Sequence, residues 1–108
     1  MAKPNISVSN GGGYKLVKFE IPGGVTTPAE FAEATKEAGA LGGENPVLIN
    51  GRGPVWGYAM LTHEAHPSPA VATFDPRLGY VVVQTHDERY KVGQIIPDPE
   101  AAPASVAA

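Results

Sequence analysis

At 108 residues, with 43% apolar and 18% charged side chains, the chain has the composition of one globular domain rather than of a disordered segment. It has no cysteine, which excludes disulfides, thiol nucleophiles and zinc ribbons, and no apolar stretch of membrane-spanning length. Eight basic against eleven acidic residues, a formal net charge of −3, disfavour sequence-independent binding of long nucleic acid but leave room for a small anionic ligand held by a few arginines.

Met1 to Asn5 lacks the apolar core of a signal peptide, so a soluble cytoplasmic protein with no membrane partner is expected. Ile6 and Val8 alternate with polar residues, and Asn10 to Gly13 supply a turn. Over 14–21, Val17, Phe19 and Ile21 share one face, with Lys18 and Glu20 on the other. The pattern predicts a β-hairpin whose glycines serve positive-φ positions; with no Lys-Ser/Thr after it, the run is a poor phosphate loop.

Thr27-Pro28-Ala29-Glu30 combines a hydroxyl cap, a proline at the first helical position and a capping-box glutamate. A helix starting there turns Phe31, Ala34 and Ala38 to one face and stops at Gly39, leaving Glu33, Lys36 and Glu37 as solvated surface. Pro46 to Ile49 is a continuous apolar run, as expected of a strand covered on both faces. Asn50 to Gly53 breaks it, Pro54 opens a second helix running to about Ala65, and His66-Pro67 ends that helix. Trp56, Tyr58 and Met60 read as core or interface residues, and Gly57 as a point of close helix–helix approach.

Segments 71–74 and 80–84 are strands joined by Asp75-Pro76-Arg77-Leu78-Gly79, and 92–96 is a last edge strand. The order β-β-α-β-α-β-β(-β) predicts an α/β fold. Its core is a small Rossmann-like sheet of five or six strands, mixed parallel and antiparallel, with two helices in right-handed crossovers. Residues 1–96 are expected to form the single domain. Residues 97–108, rich in proline and alanine with little to bury, are expected to be a mobile tail.

Three groups of residues offer chemistry. Residues 50–53 lie between a buried strand and a helix start, where free amides and Arg52 suit a phosphate or ribose; a glycine-rich connector with a surface arginine fits the spacing equally well. Asp75 and Arg77 flank Pro76, as a metal-binding or proton-handling carboxylate beside a guanidinium, or as ordinary turn chemistry, which is the commoner role of Asp at such a place. His63 and His66 are three apart, so they are expected to share a helix face near the end of the second helix, and His86 follows the strand 80–84; imidazoles serve as metal ligands or general acids and bases, and also as plain surface groups.

Topology sorts these groups. If the second helix crosses between parallel strands, Asn50, Arg52, Asp75 and Arg77 gather on one edge of the sheet. The histidines gather on the opposite edge, about 18 Å away at ~1.5 Å per residue over a dozen residues. A joint site would then need the histidine edge of one subunit stacked on the arginine edge of another.

Two stretches go beyond generic spacing: Asn50-Gly51-Arg52-Gly53-Pro54-Val55-Trp56 and Asp75-Pro76-Arg77-Leu78-Gly79-Tyr80-Val81-Val82-Val83-Gln84-Thr85-His86. With His63 and His66 between them, the chain resembles the smallest CRISPR-associated ring nucleases. That type III accessory family is related to CARF domains and is also described as a manganese-dependent RNA deadenylation exonuclease. The resemblance is strong over residues 46–88 and topological over 5–45. It implies a CARF-like fold and cleavage of cyclic tetra-adenylate to linear di-adenylates, which switches off type III CRISPR signalling. The family's dimers stack to a tetramer or higher around the ring, with manganese stimulating cleavage.

Carried across by position, the resemblance implies that His66, Asp75 and Arg77 are catalytic and that Asn50, Gly51, Arg52 and Gly53 bind the ring. It implies a metal side made of His63, His66, Asp75 and His86. The chain departs from the family pattern at Asn50, where serine is common, and at Pro67, where a second histidine is common. Alternatives are a 3′-end exonuclease acting on A-tailed RNA and a non-catalytic module that sequesters the ring.

Overall fold

A computed structural model of the chain describes residues 2–100. β1 (Asn5–Gly11) and β2 (Tyr14–Glu20) form the expected hairpin, paired antiparallel from Asn5↔Glu20 to Gly11↔Tyr14. Gly12 and Gly13, at φ 62° and 86°, make its two-residue turn, whose hand demands left-handed backbone at both positions. α1 (Pro28–Glu37) opens at Thr27, whose Oγ1 accepts from the Glu30 N–H at 3.1 Å and donates to the Glu30 carboxylate at 3.0 Å. Gly39, at φ 84°, ends that turn of chain, as its sequence position predicts. β3 (Val47–Gly51), α2 (Val55–Glu64), β4 (Ala70–Asp75), β5 (Gly79–Thr85) and β6 (Ile95–Ile96) follow.

The strands lie in the order β1-β2-β3-β4-β5-β6, parallel at β2–β3 and β3–β4 and antiparallel elsewhere. The chain is thus α/β, a six-stranded mixed sheet with two helices. Because strand order follows chain order, both crossovers step the same way across the sheet, and both helices pack on one face. No reversal of strand order creates a crevice of the doubly wound kind.

One core lies under the helices, where Val17, Phe19, Val47, Ile49 and Val71 of the sheet meet Phe31 of α1 and Leu61 of α2. A second lies on the other face, where Leu16, Leu48, Ala72, Tyr80, Val82 and Ile96 meet with Tyr90 against them. β3 sits between the two, so Val47, Leu48 and Ile49 are all buried, as the unbroken apolar run predicts. The helices touch where Gly57 faces Phe31: a Cβ there would stand 2.8 Å from the ring. The Phe31 ring is itself held edge-on by Phe19 at 5.4 Å and Trp56 at 5.8 Å between centroids.

Three details differ from expectation. β6 is confined to Ile95–Ile96, because Gly93 at φ 94° and a turn closed by Gln94 N–H to the Lys91 carbonyl bend the chain before it. α2 ends at Glu64, so His66 is in the following turn rather than on a helix face with His63; Pro67 disfavours helical backbone at the residue before it. Pro54 caps α2 from outside at ψ 156° instead of occupying its first turn. Of the expected tail, residues 101–108 lie outside the described residues; ahead of them, Glu100 pairs with Lys18 of β2. No helix among the described residues is long and apolar enough to cross a membrane.

Candidate functional site

The parallel strands β2, β3 and β4 all point their C-terminal ends toward one rim of the sheet. At the end of β3, Asn50 donates from Nδ2 to the Tyr80 hydroxyl at 3.1 Å. The next residue is clamped by α2: the Gly51 N–H donates to the Tyr58 hydroxyl at 3.0 Å, and that hydroxyl donates back to the Gly51 carbonyl. Burial pushes both tyrosine hydroxyls up from their ordinary pKa, and a hydrogen bond works against it in each case, from Asn50 at Tyr80 and from Gly51 at Tyr58. Both phenols therefore stay protonated donors near neutral pH.

Gly51 and Gly53 owe their identity to packing within the chain. A Cβ at Gly51 would stand 2.5 Å from both the Phe19 carbonyl oxygen and its ring, and one at Gly53 would stand 2.6 Å from the far side of that ring. Arg52 between them is exposed. It lines a hollow of about 440 Å³ with Gly53, Pro54, Trp56 and Thr26, and the Thr26 Oγ1 is buried there without a hydrogen-bond partner. α2 begins beside this hollow with no side chain capping its first amides. An exposed arginine beside an uncapped helix start suits an anionic oxygen.

On the same rim, Asp75 closes the β4–β5 turn. Its Oδ1 accepts from the Arg77 N–H at 2.8 Å and the Leu78 N–H at 3.2 Å, and Arg77 Nε stands 3.8 Å away. The turn role weighed from sequence is therefore real, and it fixes the carboxylate beside the guanidinium. All these contacts go to Oδ1, so Oδ2 keeps its acceptor capacity, and the Arg77 side chain is 87% exposed.

The opposite rim carries the imidazoles. His66 and His86 pack edge to face with centroids 4.8 Å apart, both exposed. His86 is set by its N–H donating to the Pro69 carbonyl at 2.8 Å, and the His66 carbonyl accepts from Gln84 Nε2 at 3.4 Å. The Gly43 N–H, donating at 2.7 Å to the Pro67 carbonyl, ties the turn after α2 to the loop before β3. His63 is outside the ring pair; it borders a mostly apolar groove of about 610 Å³ with Tyr58, Thr73, Phe74 and Val83, between α2 and the outer strands.

Three pairings thus form within one chain: Asn50 with Tyr80, Asp75 with Arg77, and His66 with His86. The two rims do not meet. β4 runs from Ala70, next to the histidine side, to Asp75, and at ~3.3 Å per residue its length separates them by roughly 17–20 Å. Consistent with that, no group of three or more His, Asp or Glu side chains among the described residues converges to hold a metal ion.

Sequence reasoning missed Tyr58, Tyr80, Thr26 and Lys18. Tyr80 and Lys18 join the rim only through register, since Lys18 pairs with Asn50 across β2–β3 and Phe74 with Tyr80 across β4–β5. Tyr58 carried a signal, being one polar tip in the first two turns of an otherwise apolar helix directly after a glycine turn.

Comparison with known proteins adds two findings. The family described as CRISPR-associated protein (Cas_csx3) matches residues 25–97, more than half of the chain and both motif stretches. A relative from Aquifex aeolicus (strain VF5), described as an uncharacterized protein, is 47% identical over 51 residues. The matched stretch covers 46% of this chain and 46% of that relative's length.

Proposed function

Since the chain belongs to the Cas_csx3 family of CRISPR-associated proteins, we propose that it is a ring nuclease cutting cyclic tetra-adenylate to linear di-adenylates and so silencing type III CRISPR signalling. The substrate class and the CARF relation come from the resemblance of its two motif stretches to that ring-nuclease group. The observation that carries the chemistry is the partition of reactive groups. Guanidinium, carboxylate and amide donors stand at one rim and a pair of imidazoles at the other, and among the described residues the two sets do not converge. Such half-sites become whole when subunits stack rim to rim, as a homodimer building to a tetramer or higher with the ring between.

The reaction is a transesterification. A ribose 2′-hydroxyl gives up its proton to solvent water as its oxygen bonds to the adjacent phosphorus and the bond to the 5′-oxygen breaks, leaving a 2′,3′-cyclic phosphate and a 5′-hydroxyl. Arg77 and Arg52 stabilise the charge that grows on the phosphoryl oxygens, a task in which preorganised donors supply several kcal/mol. Asp75 fixes the backbone and guanidinium of Arg77. With no metal bound, His66 delivers the proton to the leaving 5′-oxygen, with His86 against its ring; with manganese bound, His66 would serve as a ligand instead. Asn50, Gly51 and Gly53 hold and shape the ring-binding turn.

The manganese that the family implies fits the donor set in part. The adjacent His66 and His86 would hold it, with Asp75 of a stacked neighbour and, as the resemblance implies, His63. When bound, the ion supplies Lewis acidity toward a phosphoryl oxygen.

The test is incubation with cyclic tetra-adenylate, with manganese or with chelator, and with an A-tailed RNA for comparison. Linear di-adenylates ending in cyclic phosphate are expected by mass spectrometry. Preferential shortening of the RNA would replace the reading with a deadenylating exonuclease, and tight binding without cleavage would replace it with a sequestering module. Mixing inactive His66→Ala with inactive Asp75→Ala protein should restore activity through mixed interfaces. No recovery with demonstrated subunit exchange would sink the joint site.

A further inference from the structure

The sheet face away from the helices carries a feature that the ring-binding turn alone does not account for. At the rim that holds Asn50, strand register sets Ser7 beside Lys18 and Lys18 beside Asn50, whose amide holds the Tyr80 hydroxyl. These residues border a polar trough of about 440 Å³ in which Lys18 is the one cation and Glu20 the one acid among the lining residues. After β6 the chain returns across this face. The Glu100 carboxylate pairs with the Lys18 ammonium, and that hydrogen bond first, with the negative charge of Asp98 adding to it, pushes the Lys18 pKa up.

We propose that Lys18 is a phosphate-oxygen ligand of the oligoadenylate site and that Asp98-Pro99-Glu100 is a built-in acidic competitor which a bound ligand displaces. The inference rests on the ring-nuclease reading and extends its binding set. Lys18, Asn50, Ser7 and the Tyr80 hydroxyl offer donors suited to phosphate and ribose oxygens, and the Glu100 carboxylate takes the place such an oxygen would take at the ammonium.

The strap is made to come away. Pro97 and Pro99 have no N–H to give to a ladder, so these residues cross the sheet without joining it. The ion pair is a surface one, with side chains 45% and 44% exposed, and such pairs change an equilibrium by at most about fivefold. With the strap seated, the Lys18 ammonium is held by Glu100. With it released, the ammonium is free to meet a polyanion at a trough whose lining carries Lys18 and Glu20 as its charged residues.

The experiment measures binding of cyclic tetra-adenylate to full-length His66→Ala protein by calorimetry, comparing Glu100→Gln, Lys18→Met, their combination and Glu44→Gln. Glu44 is an exposed acid before β3 and controls for net charge. Glu100→Gln should bind about two- to fivefold more tightly, Lys18→Met about tenfold more weakly, and the double variant like Lys18→Met alone. Wild-type-like affinity in Lys18→Met, no gain in Glu100→Gln, or an equal gain in Glu44→Gln would overturn the inference while leaving the ring-nuclease reading intact. An absence of binding by every variant would overturn both.

Discussion

Replacing Gly51 and Gly53 with alanine separates a structural demand from a ligand's demand on the Asn-Gly-Arg-Gly turn. At Gly53 the new methyl would stand 2.6 and 3.1 Å from Phe19 ring carbons and 3.2 Å from Ile21 Cδ1, all side-chain atoms. Forcing a methyl into a packed core costs about 1–3 kcal/mol. Because a ring edge gives more readily than backbone, the lower half of that range applies, a fall in melting temperature of roughly 5–15 °C for a domain this size. At Gly51 one clashing atom is the Phe19 carbonyl oxygen, at 2.5 Å, in the strand that pairs with Gly51 itself. Relief there means parting β2 from β3, so the loss should reach about 3 kcal/mol or more. Thermal unfolding in a Phe19→Leu background sharpens the contrast: the smaller side chain should recover most of the loss at Gly53 and little of it at Gly51. If both alanine variants melt like wild type and lose only ligand affinity, the glycines serve the ligand and the packing argument is wrong.

Tyr58→Phe should lower stability by about 1–2 kcal/mol, because it leaves the Gly51 N–H and carbonyl without their shared hydroxyl; an unchanged melting temperature would show that water replaces it at no cost. Gly57→Ala sets a helix-propensity gain of about 1 kcal/mol against a methyl 2.8 and 2.9 Å from the fully buried Phe31 ring, so a net loss is expected in denaturant titration and a gain would refute the close approach. Burial holds the Tyr58 and Tyr80 hydroxyls above their ordinary 10.0. A folded-state pKa raised above the unfolded one leaves stability whole below the unfolded value and removes it as pH climbs through the folded value. Melts between about pH 9 and 11 should therefore fall with rising pH, and less steeply in the Tyr58→Phe, Tyr80→Phe double variant.

Periodicity and punctuation exposed both α-helices and the six strands, because each signal is local, but not the short 3-10 turn at Pro22–Gly24. The Thr27 cap, the Gly12-Gly13 turn and the unbroken run at Val47 to Ile49 all act within a few residues. The separation of the histidines from Asp75 and Arg77 was also legible, since it follows from strand direction alone. What escaped was whatever depends on two segments meeting. Asn50 and Tyr80 are thirty residues apart in sequence and meet through register. Phe19 dictates the glycine that pairs with it on β3 and another in the loop that follows, and Glu100, beyond β6, returns to Lys18 of β2. The helix stop at His66-Pro67 was legible, but His66 does not share a helix face with His63, because Pro67 disfavours helical backbone at the residue before it.

The sheet's two margins are unequally protected. On one side the last strand is only two residues long and preceded by a bend, which offers little for another molecule to copy. On the other, seven residues of β1 run in full extension with no charged side chain and no proline within them, and Val8 is exposed. Their outward amides and carbonyls form an open template. At high concentration or on mild heating, unwanted association should begin by strand addition at Asn5–Gly11, and Ser9→Lys would be the economical way to discourage it.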